Sequence, residues 1–259
     1  MSDLIRTETA GAVITVTLTS PATRNALSTA LMAELRDALA AIGERTDVHA
    51  VVLAADGPVF SSGHDLKEVR GADHARQQEI FDLCSELMLA VQRIPQPVIA
   101  RVQGLATAAG AQLAATCDLT VAADTAAFAT PGVRIGLFCS TPGVAIARAL
   151  PTKQAMRMLL TGEPLSAQQA LEFGLVSDVV PGDELVRRTM ELAEKVAEAS
   201  SATVAIGKEA FYRQITLPTE EAYAAMSRTM ADNAVSADAQ EGIDAFLTKR
   251  QPSWRGRGA

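Results

Sequence analysis

Gly104-Leu105-Ala106-Thr107-Ala108-Ala109-Gly110-Ala111-Gln112-Leu113-Ala114-Ala115-Thr116-Cys117-Asp118 is the stretch on which the fold turns. An apolar run, Pro97 to Val102, precedes it and reads as a buried strand. Small residues then let the backbone turn sharply, and an Ala-rich segment opens a helix. The first N–H groups of such a helix lack internal partners and carry its positive dipole end. They are suited to hold a developing oxyanion. A second loop of the same kind, Phe60-Ser61-Ser62-Gly63-His64-Asp65-Leu66, follows the apolar run Ala50 to Ala55.

Outward from these loops, strand and helix signals alternate. Val13 to Leu18 alternates in a strand-like way, and Ser20-Pro21 ends it. Leu27, Leu31, Leu35, Leu39 and Ile42 fall at helical spacing, with Ser28 as the cap. A helix from Gln78 to Ile94 closes at Pro95 and Pro97. The alternation implies βαβ units with right-handed crossovers. From Pro142 onward the pattern turns almost wholly helical. Ser166-Ala167-Gln168-Gln169 starts one helix as a capping box. Glu184 to Ala199, Thr203 to Ile215, Thr219 to Ala234 and Ala237 to Lys249 follow. The reading is one α/β domain, with a core over residues 1–141 and a helical region over 142–259. Trp254 to Ala259 reads as a mobile tail.

The chain has 259 residues, with 30 acidic against 23 basic and a formal charge of −7. That balance argues against a nucleic-acid partner, whose phosphates reward a basic surface. Cys84, Cys117 and Cys139 have no paired spacing, so neither a disulfide framework nor a zinc site is expected. No run is long enough to span a bilayer, and Met1 to Thr7 carries no secretory or transit pattern. A cytoplasmic protein with no membrane or metal is the expectation.

The two loops together resemble those of the crotonase superfamily, the enoyl-CoA hydratase/isomerase family. Arg24-Asn25-Ala26-Leu27 is similar to that family's early Asn-Ala-Leu motif. Leu160-Thr161-Gly162-Glu163-Pro164, with Ala167 and Ala170 to Val176, and Ala245 to Arg250 are similar to its later segments. Gly57 to Glu68, Phe128 to Val133 and Gly136 to Ala145 resemble the branch called enoyl-CoA hydratase domain-containing protein 3. The resemblance implies a ββα spiral core with a helical trimerisation region at the C-terminus. It also implies an acyl-CoA ligand, whose coenzyme A arrives with the substrate rather than as a resident cofactor, and a homotrimer or hexamer.

The same resemblance assigns roles. The backbone N–H groups of His64 and Ala109 would face the thioester oxygen. Ala26, Leu27, Ser62, Gly63, Asp65 and Leu66 would surround the ligand. Arg24, Phe246 and Lys249 match positions near the CoA nucleotide, with Lys249 reaching from a neighbouring subunit. Both family glutamates are replaced. Gln112 stands at the first position, where it can hydrogen-bond but not remove a proton. Gly132, in Thr130-Pro131-Gly132, stands at the second and is expected to leave space. Efficient hydration is therefore not expected. Gly63-His64-Asp65 is similar to the loop of members that decarboxylate methylmalonyl-CoA, which sets a malonyl-type decarboxylase beside an acyl-CoA binder without catalysis. The His64 side chain is open to a catalytic or a structural role. Asp65 and Glu68 read as a helix cap and first-turn acid, Asp118 as structural. Arg134 reads as a surface arginine near that space, and Cys139 as a pocket cysteine without a visible base.

Overall fold

A computed structural model of the chain describes residues 4–258. In chain order it begins with strands β1 (Ile5–Ala10) and β2 (Val13–Leu18), then helix α1 (Thr29–Glu44). Ser28 caps α1, its hydroxyl accepting from the Leu31 N–H at 3.2 Å. Next come β3 (Ala50–Ala55), β4 (Val59–Ser61), α2 (Leu66–Val69) and α3 (His74–Arg93). The second turn supplies β5 (Val98–Val102), β6 (Leu105–Thr107) and α4 (Ala109–Thr116). The third supplies β7 (Leu119–Ala123), β8 (Ala127–Ala129), a 3-10 turn over Pro131–Ile135, α5 (Ser140–Ala149) and α6 (Thr152–Thr161). Then follow β9 (Leu165–Ser166), α7 (Ala167–Glu172), β10 (Asp178–Val180), α8 (Leu185–Ala197), α9 (Ser201–Gln214), α10 (Thr219–Ala234) and α11 (Ala237–Thr248).

The strands form two sheets. A six-stranded sheet runs β1-β2-β3-β5-β7-β10, parallel throughout except for the β1–β2 pair. A four-stranded sheet runs β4-β6-β8-β9, with only β8–β9 antiparallel. Each turn thus lays one strand in the large sheet and one in the small sheet before its helices, which makes a ββα spiral. Strand β3 of the large sheet is apolar on both faces, as strands of parallel sheets are. Val51 and Leu53 of β3 join the main core, while Ala50 and Val52 face Leu185 and Ala193 of α8.

Two expectations change. The sheets do not end near residue 142, because β9 and β10 extend the small and large sheets as far as Val180. The tail is not loose within the described residues. Trp254 Nε1 donates to the Glu198 carbonyl at 2.9 Å, the Arg255 N–H to Asp238 at 2.8 Å, and Arg257 to the Gly43 and Arg45 carbonyls at 2.7 and 2.8 Å.

Helix α9 is fastened to the core by Lys208 and Tyr212. Lys208 Nζ donates to the Val91 and Gln96 carbonyls at 2.8 and 2.9 Å and to Asp118 at 2.7 Å. Asp118 also accepts from the Val98 N–H and the Tyr212 hydroxyl, so its role is structural. Burial pushes the Lys208 ammonium below its ordinary value, and Asp118 opposes the shift.

Candidate active site

The turn that leads into α4 is built by a backbone that an L-residue adopts reluctantly. Ala108 has φ 50° and ψ −119°. Such a conformation costs of order 1–3 kcal/mol and persists where the surroundings determine it. Here the Ala108 N–H donates to the Ala129 carbonyl of β8 at 2.8 Å, and its carbonyl accepts from the Gln112 N–H at 3.0 Å. Helix α4 then starts at Ala109, whose N–H finds no partner among the described residues.

The second turn is tied to the Asn-Ala-Leu motif. Leu27 bridges it in parallel, donating to the Gly63 carbonyl at 2.8 Å and accepting from the Asp65 N–H at 3.4 Å. The His64 N–H takes no part in that bridge. Asn25 is buried and locks the motif. Its side chain donates to the Asp56 and Val59 carbonyls at 2.9 and 2.8 Å and accepts from the Ser20 N–H at 3.0 Å. Gly63 has φ +85°, and a Cβ there would lie 2.9 Å from the Ala108 Cβ and 3.1 Å from the Ala109 nitrogen. The two turns are pressed together at that point, which brings the segment around His64 against the start of α4.

They open on a cavity of about 690 Å³. Ser62, His64, Leu66, Thr107, Ala108, Ala109, Gly132 and Cys139 line it, with Phe81, Leu137 and Phe138 forming apolar walls. Among the described residues, no carboxylate lines it, and Arg134 is the only charged side chain that does. The Arg134 Nε donates to the Thr161 carbonyl at 3.0 Å, which leaves the rest of an exposed guanidinium toward solvent and cavity. The His64 ring stands edge-on to Phe81, with centroids 5.2 Å apart. Neither ring nitrogen makes a hydrogen bond, and both are shielded from solvent. Burial pushes the imidazole below its ordinary value, opposed by the nearby Leu27 backbone and the Glu68 carboxylate.

The two replaced positions differ from their sequence readings. Gln112 does not line the cavity. It is 4% exposed, and its Oε1 accepts from the Cys84 thiol at 3.8 Å, beneath the turn. Burial pushes that thiol up to about 12. Gly132 leaves no space. A Cβ there would lie 2.1 Å from the Leu137 carbonyl oxygen and 2.8 Å from Cys139 Sγ. The 3-10 turn over Pro131–Ile135 folds the following segment back onto Gly132, with the Leu137 N–H donating to the Gly132 carbonyl at 3.0 Å. Cys139 therefore fills the place beside Gly132 as a buried thiol, raised above its ordinary value by burial.

Asp65 caps α2, accepting from the Lys67 N–H at 2.9 Å. Glu68 reaches further, accepting from the Thr29 N–H at 2.9 Å at the start of α1. Arg24, Phe246 and Lys249 are exposed and do not line the cavity of the single chain. Ala26 is half-buried and Leu27 fully buried, so within this chain they hold the His64 turn. Phe81, Thr107 and Phe138 were not singled out by sequence. Phe81 reads there as one more apolar position of an amphipathic helix.

Comparisons with known proteins place the chain in a family. Residues 8–257 match the enoyl-CoA hydratase/isomerase family, and the chain belongs to it. Its fold is crotonase-like. The chain is 50% identical over 242 residues to human enoyl-CoA hydratase domain-containing protein 3, mitochondrial, covering 92% of this chain and 79% of that protein. The crystal structure of the human protein superposes with a TM-score of 0.95 at 47% identity, covering 97% of this chain and all of that one. An enoyl-CoA hydratase structure from Mycobacterium smegmatis also gives 0.95 at 47% identity, covering 98% and 99%. The 2,3-dehydroadipyl-CoA hydratase of Escherichia coli is 34% identical, covering 95% and 96%.

Proposed function

We propose that this chain binds an acyl-CoA thioester in the cavity between its two turns and polarises the carbonyl through the His64 and Ala109 N–H groups. The observation that carries this reading is the pair of unpartnered backbone donors on two turns pressed together at the head of an apolar cavity. Preorganised donors of this kind need no reorganisation as charge develops on oxygen. Relatives named 2,3-dehydroadipyl-CoA hydratase and enoyl-CoA hydratase support the ligand class. Hydration of an enoyl thioester is slow in this reading, since no carboxylate lines the cavity to handle water. Coenzyme A enters with the ligand, and no metal takes part. Arg24, Phe246 and Lys249 hold the nucleotide, Lys249 from a neighbouring subunit of a trimer or hexamer. Exposed Phe246, Leu247 and Met230 on the last helices favour that assembly.

Titration calorimetry with acetyl-CoA and longer acyl-CoAs tests the reading. Binding that EDTA leaves intact is expected, and no binding at millimolar ligand contradicts it. A second reading, decarboxylation of a malonyl-type CoA, draws on the lining. Arg134 as the only charged side chain favours an anionic acyl group. Release of CO₂ from malonyl-CoA or methylmalonyl-CoA would establish it, while binding without turnover across an acyl-CoA panel would mark a binding protein.

A further inference from the structure

Among the described residues that line the cavity, the His64 side chain is the one whose buried polar atoms find no hydrogen-bond partner. Among the described residues, the other buried histidine contact is ordinary: His49 Nδ1 lies 3.1 Å from the Ala197 carbonyl. His64 has no such partner at either nitrogen, and both nitrogens are shielded from solvent. A buried polar atom left unmatched is destabilising. Nothing structural offsets this, because the turn is held by Leu27, Ser61 and Asn25 through backbone and other side chains. The ring stands edge-on to Phe81, with the Leu27 backbone and the Glu68 carboxylate near it.

We propose that the His64 imidazole is the proton acceptor for the α-carbon of the bound thioester. This rests on the acyl-CoA reading above. It places the base on the residue whose own N–H holds the thioester oxygen. The α-carbon is bonded to that carbonyl carbon, so the two functions fall within one side chain's reach. The ring turns from its Phe81 contact as the thioester seats. The α C–H bond breaks, its proton forms an N–H bond on the imidazole, and the electron pair passes to the thioester oxygen between the two donors. The imidazolium then returns the proton to the α-carbon. Where the acyl chain carries a β,γ double bond, it can return the proton to the γ-carbon instead. No other reactant is consumed. The depressed proton affinity of the buried ring keeps it neutral, and therefore able to accept. No carboxylate in the lining competes for the role.

The test is proton exchange at the α-carbon of a 3-enoyl-CoA in D₂O, followed by proton NMR, with calorimetric binding measured on the same samples. His64→Gln retains the backbone N–H and removes the base. Wild-type protein is expected to wash out the α-protons. The variant should lose about 10²–10⁴-fold of that rate while still binding the thioester. Equal exchange in both proteins overturns the assignment, as does binding by the wild type without exchange. Absence of binding by the wild type overturns the acyl-CoA reading itself, and the assignment with it. His64→Asn serves as a second substitution if His64→Gln binds nothing, and its exchange is read the same way.

Discussion

The two walls of the cavity follow different rules. The wall made by Gly63, His64, Ala108 and Ala109 works through backbone, and every constraint on it is a hydrogen bond or a close approach. The facing wall, from Thr130 to Cys139, is closed by main chain and a thiol packed against Gly132. The difference teaches that a wall built from backbone tolerates changes of side chain that a wall built from side chains does not. Backbone N–H groups do not depend on residue type, provided the turn keeps its shape. A carboxylate depends on one residue and on room for it.

The largest effect expected from this contrast is on hydration. Each lost acid–base group accounts for about 10²–10⁴-fold in rate, and paired groups need not add. Crotonyl-CoA should therefore be hydrated at a rate at least about 10²-fold below that of a competent hydratase, by loss of enoyl absorbance. A comparable rate would break the contrast. Next is the attempt to restore the wall. Gly132→Glu should yield no hydratase, because even a Cβ meets the Leu137 carbonyl oxygen at 2.1 Å. Gly132→Ala alone should lose about 1–3 kcal/mol in urea denaturation, as overpacking does. A stable and faster Gly132→Glu variant would show that the 3-10 turn yields.

Gly63→Ala probes the backbone wall. Its φ of +85° and the 2.9 Å approach to the Ala108 Cβ make an added methyl strained. A loss of about 1–3 kcal/mol in stability is expected, together with weaker acyl-CoA binding as the His64 donor shifts. Unchanged affinity would separate the turn from the ligand. The smallest effect is at Gln112. Gln112→Leu removes a 3.8 Å contact with Cys84 outside the cavity lining. Affinity for acyl-CoA should stay within about twofold and stability within about 1.5 kcal/mol, as for volume-conserving swaps. A large fall in affinity would return Gln112 to the site.

Much of the spiral was legible in the chain. Val13–Leu18 and Ala50–Ala55 are strands with the bounds their patterns set, and Ser28 caps α1 as its position suggests. The strands of the small sheet were not legible. They have two or three residues each, too few to show alternation. The turn before α4 was readable because small residues, a strand and a helix start coincide there. The closed wall was not, because Gly132 is filled by atoms five and seven positions later, brought back by a 3-10 turn. Likewise the orientation of Gln112 is set by Cys84 on α3, and the tail is tied by Asp238 and Glu198. Such contacts belong to the packing of distant elements and leave no local period.

The central claim is that the His64 and Ala109 N–H groups hold a thioester oxygen. The most direct measurement compares butyryl-CoA with its thioether analogue, butyl-CoA, which keeps the chain and the nucleotide but lacks the carbonyl. Each hydrogen bond contributes about 0.5–1.5 kcal/mol net. Calorimetry should therefore show the thioester binding about 5- to 150-fold more tightly. Equal affinity for the two ligands would contradict the account.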